Sequence, residues 1–387
     1  MATLALPTAD RRLEPYTTGE PLSLEPNGAG AFPRIAYAAA HVVADPLADN
    51  DPWLQPAIDW DATLRFRDYL WNLGFGVAEA MDTAQRGMGL AWEDAQQLIS
   101  RALDAAKARP GAVIACGAGT DHLAPGPDVS VDDVIRAYEE QIGFVESLDG
   151  RIILMASRAL AAAAKGPDDY VRVYDRVLSQ VREPVVIHWL GEMFDPALAG
   201  YWGSADHWQA METSLEVLAA NRAKVDGIKI SLLSKEKEIA MRRRLPAGVR
   251  MYTGDDFNYA ELIAGDDQGH SDALLGIFDA IAPAAAAALS ALGRGSDNEF
   301  FDILEPTVPL SRHIFMAPTR FYKTGVVFLA YLNGLQDHFV MIGGQESARS
   351  IIHFAELFRL ADKARVLKDP DLAADRMKRL LAIRGLA

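Results

Sequence analysis

One cysteine, Cys116, stands in a chain of 387 residues, so no internal disulfide can form. A reducing compartment is the natural setting for such a chain. Positive charge is also scarce. Against 53 aspartates and glutamates there are 38 lysines and arginines, a formal net charge of −15. Such a surface repels nucleic acid and anionic membranes, and neither is expected as a partner. No apolar run approaches the roughly 20 residues that span a bilayer. The alanine-rich run 282–291 is too short, and Pro283 interrupts it. The N-terminal residues include Asp10, Arg11, Arg12 and Glu14, without the apolar core of a signal peptide. A cytoplasmic protein is therefore expected. No Gly-x-Gly-x-x-Gly follows the first apolar run, which weighs against a dinucleotide fold. No His-x-x-x-His motif marks a metal site.

Half of the residues are hydrophobic, ample for a large core. They fall in a repeating order. After a proline- and glycine-bearing lead-in over 1–33, read as irregular, apolar runs occupy 34–43, 75–81, 111–116, 151–156, 183–189, 225–231, 249–253 and 273–278. Helical patterns lie between them. Asp59 caps a helix that ends at Gly74, Trp92 opens one to Lys107, and Ser130 caps one to about Leu148. Further helices are expected over 168–181, 208–224, 235–244 and 259–264. Near-continuous apolar strands alternating with helices indicate a parallel sheet covered by helices. About eight such units over roughly 250 residues fit a (β/α)8 barrel, with an open doubly wound sheet as the competitor. Three segments are expected: the lead-in 1–33, the barrel 34–292, and a helical extension 293–387.

Barrel chemistry sits where strands end and the following loops begin. The polar residues there are His41, Glu79, Asp82, Thr83, Thr120, Asp121, His122, Arg158, His188, Lys229, Asp255 and Asp256. Lys229 is the most unusual of them, set between Ile228 and Ile230 in an apolar strand. Desolvation disfavours the ammonium there and favours a nucleophilic amine. The bland alternative is a lysine that snorkels to water or pairs with a carboxylate.

Three passages resemble the Schiff-base aldolase superfamily of N-acetylneuraminate lyase and dihydrodipicolinate synthase. Gly227-Ile228-Lys229 is similar to the sixth-strand segment whose lysine forms an imine with a substrate ketone. Tyr252-Thr253-Gly254-Asp255-Asp256 is similar to its Ser-Gly-Asp-Asp at the end of strand seven. The run Gly269-His270-Ser271-Asp272-Ala273-Leu274-Leu275-Gly276 is similar to its Gly-Gly-His-Gly-Val-Ile-Ser into strand eight. The whole chain more closely resembles a longer, divergent dihydrodipicolinate-synthase-like branch of unassigned reaction. There are departures. The Gly-Thr-Thr-Gly-Glu that binds a 2-oxo acid carboxylate corresponds here to Asp82-Thr83-Ala84-Gln85-Arg86. The proton-shuttling tyrosine of strand five corresponds to His188, and the synthase's second-substrate arginine to Met193. Lysine biosynthesis is not expected.

The resemblance implies a class I aldolase-type lyase or dehydratase acting on a small-molecule keto substrate, without a cofactor. Catalysis is assigned to Lys229, His188 and Thr83, and substrate binding to Asp82, Arg86, Asp255, Asp256 and Arg158. Each has a plainer reading: a core histidine, a turn-capping threonine, aspartates that cap the helix before Asn258, and arginines in surface ion pairs. The loop 191–207, with Phe194, Tyr201 and Trp202 after Trp189, either covers the barrel mouth or packs as a satellite core. A polyhydroxylated, sugar-derived ligand suits these groups. Post-barrel helices in the superfamily mediate subunit packing, so a homo-oligomer is expected. The rivals are a metal-dependent sugar isomerase or aldolase using Glu79, His41, Asp82, His122, His188 and His207, and a non-catalytic ligand-binding barrel.

Overall fold

The structure is a computed structural model that describes residues 1–23 and 32–386. Strands β1 (Thr3–Pro7) and β2 (Leu13–Thr17) pair antiparallel. Eight more are parallel: β3 (Ala36–Ala39), β4 (Gly76–Glu79), β5 (Ile114–Ala118), β6 (Arg151–Leu154), β7 (Val185–Leu190), β8 (Val225–Ser231), β9 (Arg250–Thr253) and β10 (Asp272–Leu275). They close into a barrel because β10 pairs with both β9 and β3.

Helices separate the barrel strands along the chain: α1 (Trp60–Asn72), α2 (Trp92–Lys107), α3 (Val131–Ser147), α4 (Arg158–Ala163), α5 (Pro167–Leu178), α6 (His207–Ala220), α7 (Lys235–Arg242) and α8 (Tyr259–Ala264). After β10 come α9 (Ile277–Ala280), α10 (Ala282–Gly293), α11 (Asp297–Leu304), α12 (Val308–Ile314), α13 (Tyr322–Leu332), α14 (Ile351–Lys363) and α15 (Pro370–Ile383). The fold is a (β/α)8 barrel with a C-terminal helical extension, as the alternation of runs predicts.

Contacts divide the chain into two compact units. One, Arg34–Ala40 with Phe75–Leu275, holds the whole barrel sheet and α2 to α8. Its interior follows the two-residue period of strands. Tyr37, Ala78, Ala115, Ile153, Val186, Tyr252 and Leu274 form the inner cluster. The two tyrosine rings lie 6.3 Å apart, edge to face, and the small residues beside them make the room. Gly76 is Tyr37's register partner, and a Cβ on it would meet that ring at 2.6 Å. A Cβ on Gly227 would meet the Tyr252 ring at 2.7 Å. Burying each ring contributes about 2–3 kcal/mol in transfer free energy. Local signals agree with the topology. Ser130 and Asp133 form a reciprocal capping box at the start of α3, with the Ser130 amide donating to the Asp133 carboxylate at 2.8 Å.

The other unit, Met1–Pro33 with His41–Gly74 and Gly276–Ala387, holds the β1–β2 pair, α1 and α9 to α15. Every residue of α13 is buried, which is why its sequence is apolar on all sides from Val326 onward, after Lys323 and Thr324 in the first turn.

Two expectations need correcting. The lead-in read as irregular contains the β1–β2 hairpin. Leu4 and Leu6 alternate with exposed residues in β1, whereas β2 is mostly exposed and carries Pro15, so it reads as loop. The rest of that reading, residues 24–31, lies outside the described residues. The apolar run to Phe278 is not all strand. The sheet stops at Leu275, and Ile277–Ala280 is helical. A short buried apolar run carries no period that separates the two.

Candidate active site

β7 and β8 run in register with Val186 opposite Gly227 and His188 opposite Lys229. Val186 faces the barrel interior, so two residues further His188 and Lys229 face it as well, nearer the strands' C-terminal ends. Lys229 is 7% exposed and His188 1%. Among the described residues no hydrogen bond or ion pair holds the Lys229 ammonium. Burial keeps its amine below the ordinary lysine value. The charges of Asp256 and Asp82 oppose that shift without cancelling it. His188 is held well below the usual imidazole value, first by burial and then by the charge of Lys229. Its Nε2 lies 3.1 Å from Ser231 Oγ, while its Nδ1 has no partner among the described residues.

Gly254 closes the back of the lysine. A Cβ there would lie 2.6 Å from Lys229 Cε and 2.8 Å from the Ile230 carbonyl oxygen, so only glycine lets the β9 end approach the lysine stem. The next residue, Asp255, is fully engaged in its turn. Its carboxylate accepts from the Phe257 amide at 2.8 Å, the Asn258 amide at 3.1 Å and the Asn258 side chain at 2.8 Å. Asp256 is buried beside it, and its charge acts on Lys229.

A cleft opens next to His188, with a cavity of about 70 Å³ measured at the centres of water-sized molecules. One water needs roughly 10–15 Å³ by that measure. Asp82, Arg86, Thr120, Asp121, Met155, Arg158, Asp195 and Leu198 are among its walls. Thr83 is buried on the 3-10 turn Asp82–Ala84 at the rim of β4. Arg86 is buried with all five N–H donors engaged. They reach Asp121 twice, the Ala80 and Gly117 carbonyls, and Gln141. Burial alone would raise the Asp121 carboxyl, but the Arg86 charge and hydrogen bonds bring it below its ordinary value. Arg158 pairs through Nε with Asp195 and is 38% exposed. Thr120 Oγ1 and Ser157 Oγ are 2.6 Å apart.

Several sequence candidates lie elsewhere. His41, in the other unit, is fixed by Asp279 at 2.8 Å and by Gln336 at 3.1 Å. His122 is 2.8 Å from the Gln141 amide, and His207 sits between Glu192 and Lys237. Among the described residues no three His, Cys, Asp or Glu side chains converge on a point that could take a metal ion. The aromatic loop after β7 packs as a satellite core. Trp202 stacks on Tyr174 at 4.5 Å, Tyr201 meets Tyr170 edge to face, and both Trp202 and Tyr201 are buried. Tyr170 and Tyr174 belong to α5, so these rings serve packing within the barrel unit.

Sequence reasoning missed Ser231, Gly254 and Glu238. The two-residue period from Lys229 already places Ser231 on the same face. Glu238, on α7, is buried and accepts from Ser271 at 2.7 Å and Thr253 at 3.0 Å. Burial, with Asp255 adding to it, pushes its carboxyl up to about 8. No sequence signal distinguishes it from the exposed glutamate two residues earlier.

No curated protein matches the chain in sequence. Solved structures do match its fold. Dihydrodipicolinate synthase from Oceanobacillus iheyensis is 16% identical with a TM-score of 0.63, covering 84% of this chain and 95% of that one. The Aquifex aeolicus synthase is 12% identical with a TM-score of 0.64, covering 87% and 100%. A putative dihydrodipicolinate synthetase from Pseudomonas aeruginosa is 15% identical with a TM-score of 0.63, covering 86% and 99%. The chain thus shares the fold of the dihydrodipicolinate synthases, and it belongs to the family described as "Protein of unknown function (DUF993)", whose model matches residues 4–386.

Proposed function

We propose that the protein is a class I lyase or aldolase that forms an imine between Lys229 and a ketone substrate. One observation carries this reading. A buried amine without an ion pair faces the barrel interior directly opposite a buried, neutral histidine, beside a cleft. The neutral Nζ attacks the carbonyl carbon, and the carbonyl oxygen leaves as water. The iminium then accepts the electron pair of a neighbouring C–C bond, leaving an enamine that is reprotonated and hydrolysed. Loss of a β-hydroxyl from the same intermediate would make the enzyme a dehydratase.

His188 is the general acid and base of this scheme. A neutral imidazole with a free Nδ1 takes the proton of the substrate hydroxyl as the bond breaks. Asp256 and Asp82 offset the iminium charge. Thr83 holds a substrate oxygen at the rim. Arg86 shapes the wall, since its donors are occupied, and Arg158 is the cation at the rim that can still turn N–H groups to a substituent. Asp255 acts on the substrate only through the turn that carries Asp256.

The test is turnover. The full chain is incubated with a panel of hydroxylated ketones, and release of carbonyl fragments is followed with and without chelator. Cleavage that survives chelator and is lost in Lys229→Met supports the proposal. Cleavage that Lys229→Met retains, or that chelator abolishes, overturns it in favour of a metal-dependent route.

A further inference from the structure

The turn after β4 has a chemistry of its own. Asp82 lines the cleft and is half-buried, and among the described residues its carboxylate has no hydrogen-bond partner. The other two carboxylates of the cleft are both engaged, Asp121 by Arg86 and Asp195 by Arg158. Two backbone donors of this turn are also taken. The Ala84 amide donates to the Met81 carbonyl at 3.0 Å, and the Gln85 amide to the Asp82 carbonyl at 2.9 Å. The turn therefore offers an incoming ligand a fixed acceptor and few donors. A second acid, Asp256, bears on the same lysine from the β9 end.

We infer that Asp82 selects the substrate: the ketone that reacts at Lys229 carries a hydroxyl-bearing carbon next to its carbonyl, not a carboxylate. The inference rests on the imine reading above. A hydroxyl on that carbon donates to Asp82 and supplies the partner the carboxylate lacks. A carboxylate on the same carbon meets a like charge at close range in a poorly solvated cleft. It finds neither a free guanidinium in Arg86 nor free amides at Ala84 and Gln85, and the charge of Arg158, the cleft's other cation, is already met by Asp195. The substrate class is thus a ketose-like hydroxyketone.

Hydroxyacetone and pyruvate form a near-isosteric pair for the test, one with CH2OH and the other with a carboxylate beside the same ketone. Each condenses with the Lys229 amine and loses water, and borohydride hydride reduces the C=N bond to a stable secondary amine. The two adducts differ in mass on one peptide. The full chain is reduced in an equimolar mixture, with free Nα-acetyl-lysine in parallel to normalise for intrinsic reactivity. The hydroxyacetone adduct should exceed the pyruvate adduct by about tenfold or more, a difference of the size one like-charge contact supplies. In Asp82→Asn and Asp82→Ser that ratio should fall towards one. Equal or reversed labelling in the unaltered chain overturns the inference while leaving the imine intact. So does a ratio unchanged in both variants. Absence of both adducts from Lys229 in folded protein overturns the imine reading and this inference with it.

Discussion

His188 and Lys229 are direct register partners on β7 and β8, both inside the barrel and both buried. The lysine makes the charged form of the histidine costly, and burial makes its own charged form costly. The imidazole is held well below its ordinary value partly by the lysine charge, and the amine is lowered by the burial the two share. An acid–base pair in which neither partner favours its charge is poorly suited to stabilising a fold and well suited to reacting with a carbonyl.

Replacing the lysine should therefore separate stability from activity. Lys229→Met keeps the stem and removes the desolvated amine. It should abolish turnover and stabilise the fold by about 1–3 kcal/mol near neutral pH. The sign with pH follows from the lowered folded value. In the window between that value and 10.5 the unfolded chain binds a proton that the folded chain does not, so wild-type stability rises with pH there. The variant's advantage should shrink as pH climbs through the ordinary lysine value. Denaturant unfolding at several pH values measures this.

His188→Gln should lower kcat by about 10²–10⁴-fold with a smaller effect on KM, as expected for loss of a general acid and base. The histidine's folded value lies well below 6.5, so the imidazole stays neutral through the neutral range. Wild-type activity should hold down to pH 6.5 and fall only below it. The unfolded chain protonates first as pH drops through 6.5, so stability also declines in that window. A pH profile of kcat/KM, paired with thermal unfolding, reads both.

Gly254→Ala should impair catalysis without removing any reactive group. The added Cβ meets both Lys229 Cε and a backbone oxygen, and the backbone cannot step aside cheaply. A loss of about 1–3 kcal/mol in stability is expected, with the lysine pushed off its line of attack. Unfolding free energy and the rate of imine formation should both drop.

Glu238 supplies a pH signature that the other groups do not. Its folded value near 8 exceeds the ordinary 4.5, so the stability it confers is complete below 4.5 and is lost as pH rises through 8. Glu238→Gln keeps the shape and partners without the charge. It should raise the melting temperature at pH 8 and leave it unchanged near 4.5, with a difference of roughly 2–4 kcal/mol. Glu238→Ala should be less stable at both. Melting curves for the three proteins at the two pH values decide it.

Much of this architecture was legible in the residues. Trp92 to Lys107 and Val225 to Ser231 form the helix and strand their patterns predict, and Ser130 caps as its chemistry requires. Lys229 stood out because an ammonium between isoleucines conflicts with its surroundings, and the fold keeps that conflict inside the barrel. The two-stranded hairpin was not legible, since β2 lacks a buried face. Phe278 was misread because Gly276 turns an apolar run from strand to helix. Glu238 was hidden because its burial depends on Thr253 and Ser271, distant in sequence. Arg86 was expected among ligand-binding groups. Only coordinates reveal that Asp121, Gln141 and two carbonyls occupy its donors.

Borohydride reduction in the presence of a broad panel of ketones, followed by peptide mass analysis, tests the central claim most directly. The account predicts one carbonyl-dependent mass increase, located on the peptide carrying Lys229 and absent from Lys229→Met. Labelling confined to surface lysines, or an adduct pattern identical in the variant, contradicts it.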